Sequence, residues 1–385
     1  ASPAQLASAL FDKLLLPTTG IKKGKTGYST NQKELDKLRG QHPIIELVER
    51  FRELSKLQNT YVAALPEQTD ANGYIHTTFN QDATATGRLS STNPNLQNIP
   101  IRTELGRQIR DAFVPAPGNV FVNADYSQFE LRLAAVMAGE KQMIEDFNTD
   151  VDIHAKTAAE VYNVPINEVT PAQRRRAKVV NFGVLYGMSQ HGLAAAANMS
   201  YGEAQHFIDE YYRIRPHIKE FMEQTIRQAH EDGFVQTLFG RRRPTPDVRS
   251  NNFAVRSAAE RAAANMPIQG TEADLMKLAM LAVEKRLTTM TSPDLLPSET
   301  GKFEKNEFAL PERQVSSGSK SGLVHKNISL GHQILQIHDS IMVECPLQNA
   351  EIVSKMLVET MENIYPQLGI KLKVDVKIGN NWGEV

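Results

Sequence analysis

Cysteine and tryptophan are nearly missing: Cys345 and Trp382 each occur once in 385 residues. A lone cysteine excludes an internal disulfide framework and fits a reducing compartment. Long apolar runs are missing too. No stretch of 18 or more apolar residues occurs, so no segment reads as a membrane-spanning helix. The opening Ala1-Ser2-Pro3-Ala4 does not form a signal peptide. Nor is there an excess of one charge: 43 Lys and Arg face 44 Asp and Glu, for a net charge of −1. Bulk electrostatics therefore do not announce a polyanion binder. What remains is the composition of an ordinary globular protein, 41% hydrophobic and 23% charged. Its length allows a large core in two or three subdomains.

The basic residues are clustered, however. Lys22, Lys23 and Lys25 form one group, Arg174, Arg175, Arg176 and Lys178 a second, and Arg241, Arg242 and Arg243 a third. Such stripes can grip a polyanion even on a neutral chain, although each also reads as a solvated face. The acids are more telling. Val120, Phe121 and Val122 are β-branched or aromatic and predict a short buried strand. That strand delivers Asp125 at its end, and Glu130 follows inside a helical pattern of Phe129, Leu131 and Leu133. A carboxylate at the edge of a rigid strand suits a metal, but one acid cannot hold a divalent ion. Residues 334–345 supply a second. Two apolar runs flank His338-Asp339-Ser340, which predicts a hairpin with Asp339 at its tip. Taken singly, each acid reads equally well as the end of a strand.

Helical spacing runs over 4–15 and 42–65, with a Gly/Lys/Thr-rich loop at 17–31 between them. Asn72-Gly73 predicts a hairpin joining strands at 60–64 and 74–79. The stretch 84–100 is polar and rich in turn formers, and its Arg88, Gln97 and Asn98 are donors suited to minor-groove acceptors and phosphates. Helices are predicted over 131–162 and from 171 to 187. The second opens on Thr170-Pro171, an N-cap followed by a first-turn proline. Arg174, Lys178, Phe182 and Tyr186 then recur at every fourth position. Such a series drifts about 40° per step, so the four share one face roughly 18 Å long. That face can meet a triphosphate at one end and a base at the other, with both cations near the anion-attracting N-terminus. The bland alternative is an amphipathic helix with exposed cations and core aromatics. Two helices at 203–232 and a strand at 234–239 come next. A helix at 251–264 continues through Arg261, Asn265 and Gln269, and Gly270 is expected to interrupt it before a long helix to Leu287. Residues 288–331, rich in Pro, Ser and Gly, read as a flexible insertion. A helix at 349–364 and a strand through Leu372, Val374, Val376 and Ile378 close the chain.

Together these stretches resemble the family A DNA polymerases. Asp125-Tyr126-Ser127-Gln128-Phe129-Glu130-Leu131-Arg132 resembles the first palm motif, and Ile337-His338-Asp339 the second. Arg174 through Gly187 resembles the fingers helix. Thr86 to Ser91 and Arg261 to Gly270 resemble the template-primer motifs. The likeness runs in order from residue 3 to the end, apart from the insertion. Three departures stand out. Ser340 follows His-Asp where the family usually has Glu, the sequence is expected to open inside the thumb without proofreading or 5′-nuclease domains, and the insertion has no usual counterpart.

The resemblance implies an α+β right-hand fold: a partial thumb at 1–66, a palm at 67–133 and 255–385 interrupted by 288–331, and fingers at 134–254. It implies template-directed addition of dNTPs to a primer 3′-OH by two-metal nucleotidyl transfer, with release of pyrophosphate. Asp125, Asp339 and the Tyr126 carbonyl would hold two Mg²⁺ ions, with Mn²⁺ as a substitute. Arg174 and Lys178 would bind the β/γ-phosphates, with Lys178 also a proton donor to the leaving group. Phe182 would lie against the sugar, Tyr186 would border the nascent base pair, and Glu130 would block a ribose 2′-OH. Gln128 and His154 would complete the dNTP site. Arg88, Gln97, Asn98, Arg261, Asn265, Gln269 and His338 would contact primer-template DNA. A monomer free of membranes is expected, in the cytoplasm at a bacterial nucleoid, in a phage-infected cell or in an organelle. Glu130 and Phe182 argue against a single-subunit RNA polymerase. Retention of Asp125, Asp339 and Lys178 argues against a non-catalytic nucleic-acid-binding paralogue.

Overall fold

A computed structural model describes residues 2–25, 27–101, 103–289 and 329–385. Its contacts divide the chain into two compact units, 1–78 with 99–109, and 79–98 with 110–385.

The first unit has a small core of Leu10, Phe11, Leu16, Ile21, Leu35, Leu38 and Ile45. Helix Ile44–Leu57 (α1) buries Ile45 there and leaves Leu47, Phe51 and Leu54 exposed. The strand expected at 60–64 does not form. The chain stays helical through Gln58–Val62, with Ala63 N donating to Gln58 O at 2.9 Å. Asn72-Gly73 does make a tight turn, but it closes only the single bridge Thr69–Ile75. The reason is local. Asp70 Oδ1 accepts from the Asn72 and Tyr74 amides at 2.8 and 2.9 Å, so the turn satisfies itself without long flanking strands.

The second unit is built on a four-stranded antiparallel sheet. Its strands are Asn119–Tyr126 (β1), His332–Ile337 (β2), Ser340–Pro346 (β3) and Val374–Gly379 (β4), in spatial order β4-β1-β3-β2. β1 is interior because Val120, Phe121, Val122 and Ala124 are buried on both of its faces. The helices that position the site are Phe129–Ala138 (α2), Ile153–Tyr162 (α3), Pro171–Leu185 (α4) and Phe253–Thr289 (α5). Ala350–Glu362 (α6) packs on β1 and β4.

α4 starts where its N-cap predicts. Thr170 Oγ1 accepts from Gln173 N at 3.3 Å, and Gln173 Oε1 accepts from Thr170 N at 2.8 Å. α5 is one helix of 37 residues, and the break expected at Gly270 is absent. Gly270 serves packing instead. A Cβ there would stand 2.5 Å from Thr237 Cγ2 and 3.2 Å from Thr86 O. Past the end of α5, Leu330 N donates to Leu287 O at 3.1 Å, and Ser329 Oγ donates to the same oxygen at 3.2 Å. Most of the expected insertion, 290–328, lies outside the described residues.

Candidate active site

Asp125 lies in register with Ser340 of β3 on one side and with Asp375 of β4 on the other. The β2–β3 turn is His338-Asp339, with His338 in the left-handed region at φ 54°. Tyr126 N donates to Asp339 O at 3.1 Å, which brings the hairpin tip beside the end of β1. The carboxyls of Asp125 and Asp339 lie close enough for each to act on the other's proton. Crowding by surrounding protein, then the Asp339 charge, pushes Asp125 up to about 7 although the residue is open to solvent. Burial raises Asp339 as well. Two carboxylates this close do not both ionise readily. Tyr126 points the other way: its hydroxyl donates to Met361 O at 2.7 Å and its ring stacks on Phe129 at 4.1 Å. Only its backbone is left for the acid edge. Among the described residues no group of three or more His, Cys, Asp or Glu is placed to hold a metal, so the carboxylate donor set is this pair.

A second cluster gathers around buried Glu130 in the first turn of α2. Its Oε1 accepts from Arg88 Nη2 at 2.6 Å and from Gln269 Nε2 at 3.4 Å, and its Oε2 accepts from the Tyr186 hydroxyl at 2.5 Å. Four residues singled out from distant stretches thus meet. Glu272, which was not singled out, joins them. It is 1% exposed, and its Oε2 accepts from Arg88 Nη2 at 2.6 Å. Burial holds Glu272 well above the usual carboxylate range, against the pull of Arg88. A signal for it was present: an acid inside a helical stretch whose neighbours Ile268, Gly270, Thr271, Ala273 and Leu275 are all buried. The backbone beside Arg88 is fixed too. Lys277 Nζ donates to Gly87 O and Thr84 Oγ1 to Arg88 O, both at 2.6 Å.

The α4 face is as the spacing predicts: Arg174 and Lys178 exposed, Phe182 half-buried, and Tyr186 exposed at the C-cap. Arg174 Nε donates to Asp152 Oδ2, the N-cap of α3, at 2.7 Å. His154 is 2% exposed and lies 5.8 Å from the Phe182 ring. Burial lowers it to about 4, so it is neutral at pH 7. Its Nδ1 lies 2.9 Å from the Asn181 side-chain amide, which fixes the ring. Gln128 takes φ 54° at the start of α2. Asn265 Nδ2 donates to Leu185 O at 3.3 Å, and Arg261 Nη1 to Ser257 Oγ at 2.7 Å. Gly187 lets Arg261 approach, since a Cβ there would stand 2.8 Å from Arg261 Cγ. Gln97 Nε2 donates to Gln336 O on β2 at 3.0 Å, and Asn98 is exposed.

The model of DNA polymerase family A matches residues 1–384. The chain is similar to the thermostable DNA polymerase I of Thermus aquaticus, with 43% identity over 380 residues covering 98% of this chain and 41% of that protein. DNA polymerase I of Geobacillus stearothermophilus is 42% identical over 383 residues, covering 99% of this chain and 39% of that protein. The chain therefore spans about 41% of the length of such relatives. A solved structure, the POL domain of Pol1 from M. smegmatis in complex with DNA primer-template and dNTP, matches with a TM-score of 0.83 at 38% identity, covering 100% of this chain and 61% of that one.

Proposed function

The chain belongs to DNA polymerase family A, and on that premise we propose that it extends a primer 3′-OH with dNTPs on a DNA template, releasing pyrophosphate. Its fold is the α+β right-hand polymerase fold. The observation that carries the reading is the Asp125–Asp339 pair, two carboxyls far apart in sequence yet close enough for each to act on the other's proton. Like charges so placed need a cation. Two carboxylates and a backbone carbonyl fit Mg²⁺, which takes few protein ligands and completes its shell with water and substrate phosphates. When bound, two such ions, or Mn²⁺ as a substitute, supply an activated 3′-oxygen nucleophile and charge relief on the leaving pyrophosphate.

The remaining work falls to side chains of this chain. Arg174 and Lys178 stand near the N-terminus of α4 and would bind the β/γ-phosphates, Lys178 giving a proton to the leaving group. Asp152 orients the Arg174 guanidinium for that task. Neutral His154 would contact a phosphate. Phe182 would lie against the sugar, Tyr186 would border the nascent pair, and Glu130, supported by the Gln128 turn, would block a 2′-OH. Arg88 and Gln269 would contact the minor groove at the primer terminus, while Gln97, Asn98, Arg261, Asn265 and His338 would line the path of the DNA. In this reading 67–133 and 255–385 form the palm, 134–254 the fingers and 1–66 part of the thumb. Among the described residues no helix is long and apolar enough to cross a membrane. A monomer acting on DNA in the cytoplasm is the setting we propose.

Primer extension with dNTPs in parallel with NTPs tests this function. Extension by dNTPs alone is expected. Equal use of NTPs would favour an RNA polymerase, and tight DNA binding without any extension would favour a non-catalytic binder.

A further inference from the structure

Arg88 offers a single nitrogen, Nη2, to two carboxylates, Glu130 Oε1 and Glu272 Oε2, both at 2.6 Å. The polar groups around it are not all matched. Arg88 Nε and Glu272 Oε1 are both buried without a hydrogen-bond partner. Glu130 has other donors in Tyr186 and Gln269. Among the described residues Glu272 has Arg88 alone. A guanidinium shared between acids on two different helices, α2 and α5, has two resting places. The loop backbone cannot follow a change of partner, because Lys277 holds Gly87 O and Thr84 holds Arg88 O. The close approach of Gly270 to Thr86 O fixes the same loop against α5. Only the Arg88 side chain can move.

We propose that Glu272 is a positioning residue that competes with Glu130 for Arg88, keeping the guanidinium over α5 and leaving Glu130 available to the nucleotide sugar. The inference rests on the reading above, in which Arg88 contacts primer-template DNA and Glu130 the sugar. Without Glu272, Arg88 has one carboxylate instead of two and pairs with it more tightly. DNA then reaches Arg88 only by breaking that pair, and an incoming nucleotide meets a Glu130 that is held back. Both penalties fall on binding, and neither touches the acid pair.

The experiment places Glu272→Ala and Glu272→Gln in the parent chain and in an Arg88→Ala background. It reads the primer-template Kd, the KM and kcat of single-nucleotide addition, and the melting temperature of each variant. In the parent, Glu272→Ala should raise Kd about tenfold, the scale of one hydrogen bond to a charged group, with kcat within about twofold. With Arg88 already Ala, the same change should move Kd less than about twofold, because there is no guanidinium left to position. Glu272→Gln keeps the volume and an acceptor oxygen and should recover part of the loss. An equal Kd loss in both backgrounds, a loss confined to kcat, or no loss at all overturns the proposal. If the alanine variants melt below the assay temperature, Glu272→Gln decides alone: a rise in Kd of about threefold is expected, and an unchanged Kd overturns the inference. Arg88→Ala that binds DNA like the parent overturns the DNA role of Arg88 itself. A weakened Arg88→Ala beside a silent Glu272→Ala overturns only the role of Glu272.

Discussion

Asp125 and Asp339 hold protons more firmly than ordinary carboxylates, and that preference has a sign. A folded pKa raised above the unfolded one means that the folded chain binds the extra proton between about pH 4 and the folded value. For Asp125 that value is about 7, so the metal-free protein should lose stability as pH rises through this window. A divalent ion needs both carboxylates bare. Added Mg²⁺ should therefore raise the melting temperature more at about pH 8 than at about pH 5.5. Melting curves at both pH values, with and without Mg²⁺, check this; equal shifts would refute it. Asp125→Asn should abolish the Mg²⁺ shift and primer extension while largely sparing primer-template binding. Extension within about tenfold of the parent, or roughly 1.4 kcal/mol of barrier, would count against the two-metal reading. Glu130→Ala should admit ribonucleotides, read as a changed ratio of kcat/KM for the two sugars, and should also strip Arg88, Gln269 and Tyr186 of a shared acceptor. Asp125 and Asp339 stood out in the sequence because each is an acid where an apolar run ends, Glu130 because it is an acid inside an apolar helical pattern, and Arg88 because it is a cation in a polar stretch poor in acids. Glu272 did not, because the donors before it were followed at a spacing of four: Arg261, Asn265, Gln269. A helix turns every 3.6 residues, and two turns on from Asn265 lead to Glu272.

Among the elements, α4 was readable because its start is encoded locally, by Thr170, Pro171 and Gln173 acting on one another. α5 was misread because Gly270 is a breaker by local rules, while its reason is tertiary. Thr86 and Thr237, which crowd Gly270, are remote in sequence. The consequence is testable. Alanine favours a helix over glycine by about 1 kcal/mol, but overpacking costs about 1–3 kcal/mol. Gly270→Ala should therefore destabilise the chain and loosen the Arg88 loop, seen as a lower denaturation midpoint and weaker primer-template binding. A gain in stability would mean that the site relaxes and that Gly270 is there for another reason. The strand expected at 60–64 failed for a local reason instead: the chain stays helical through Gln58–Val62, and a turn stabilised by Asp70 needs no partner strands.

For the whole molecule, the least legible feature was how the sheet is assembled. β1 lies some 200 residues before the β2–β3 hairpin and β4, and nothing in their composition states the order β4-β1-β3-β2. Their individual existence was readable from apolar runs, and the meeting of Asp125 with Asp339 was expected from the need for a second acid and from the family resemblance; the strand pairing that brings it about was not readable. The expected insertion is a second question at this scale. Replacing 292–326 with a short Gly/Ser linker should preserve extension, because the flanking residues Leu287 and Leu330 are already bonded to each other. The salt dependence of DNA affinity should stay unchanged; a slope flatter by about one unit per lost contact would show that this segment grips phosphates. Loss of extension by a folded variant would show that the segment is needed for catalysis.

That contact between Leu287 and Leu330 makes a seam at which chain length can change while the hairpin carrying Asp339 keeps its anchorage. A guest domain whose own two ends lie together could be spliced in there as a passenger. The polymerase frame would feel only the short tethers, since the cost of a longer closed loop grows only as the logarithm of its length.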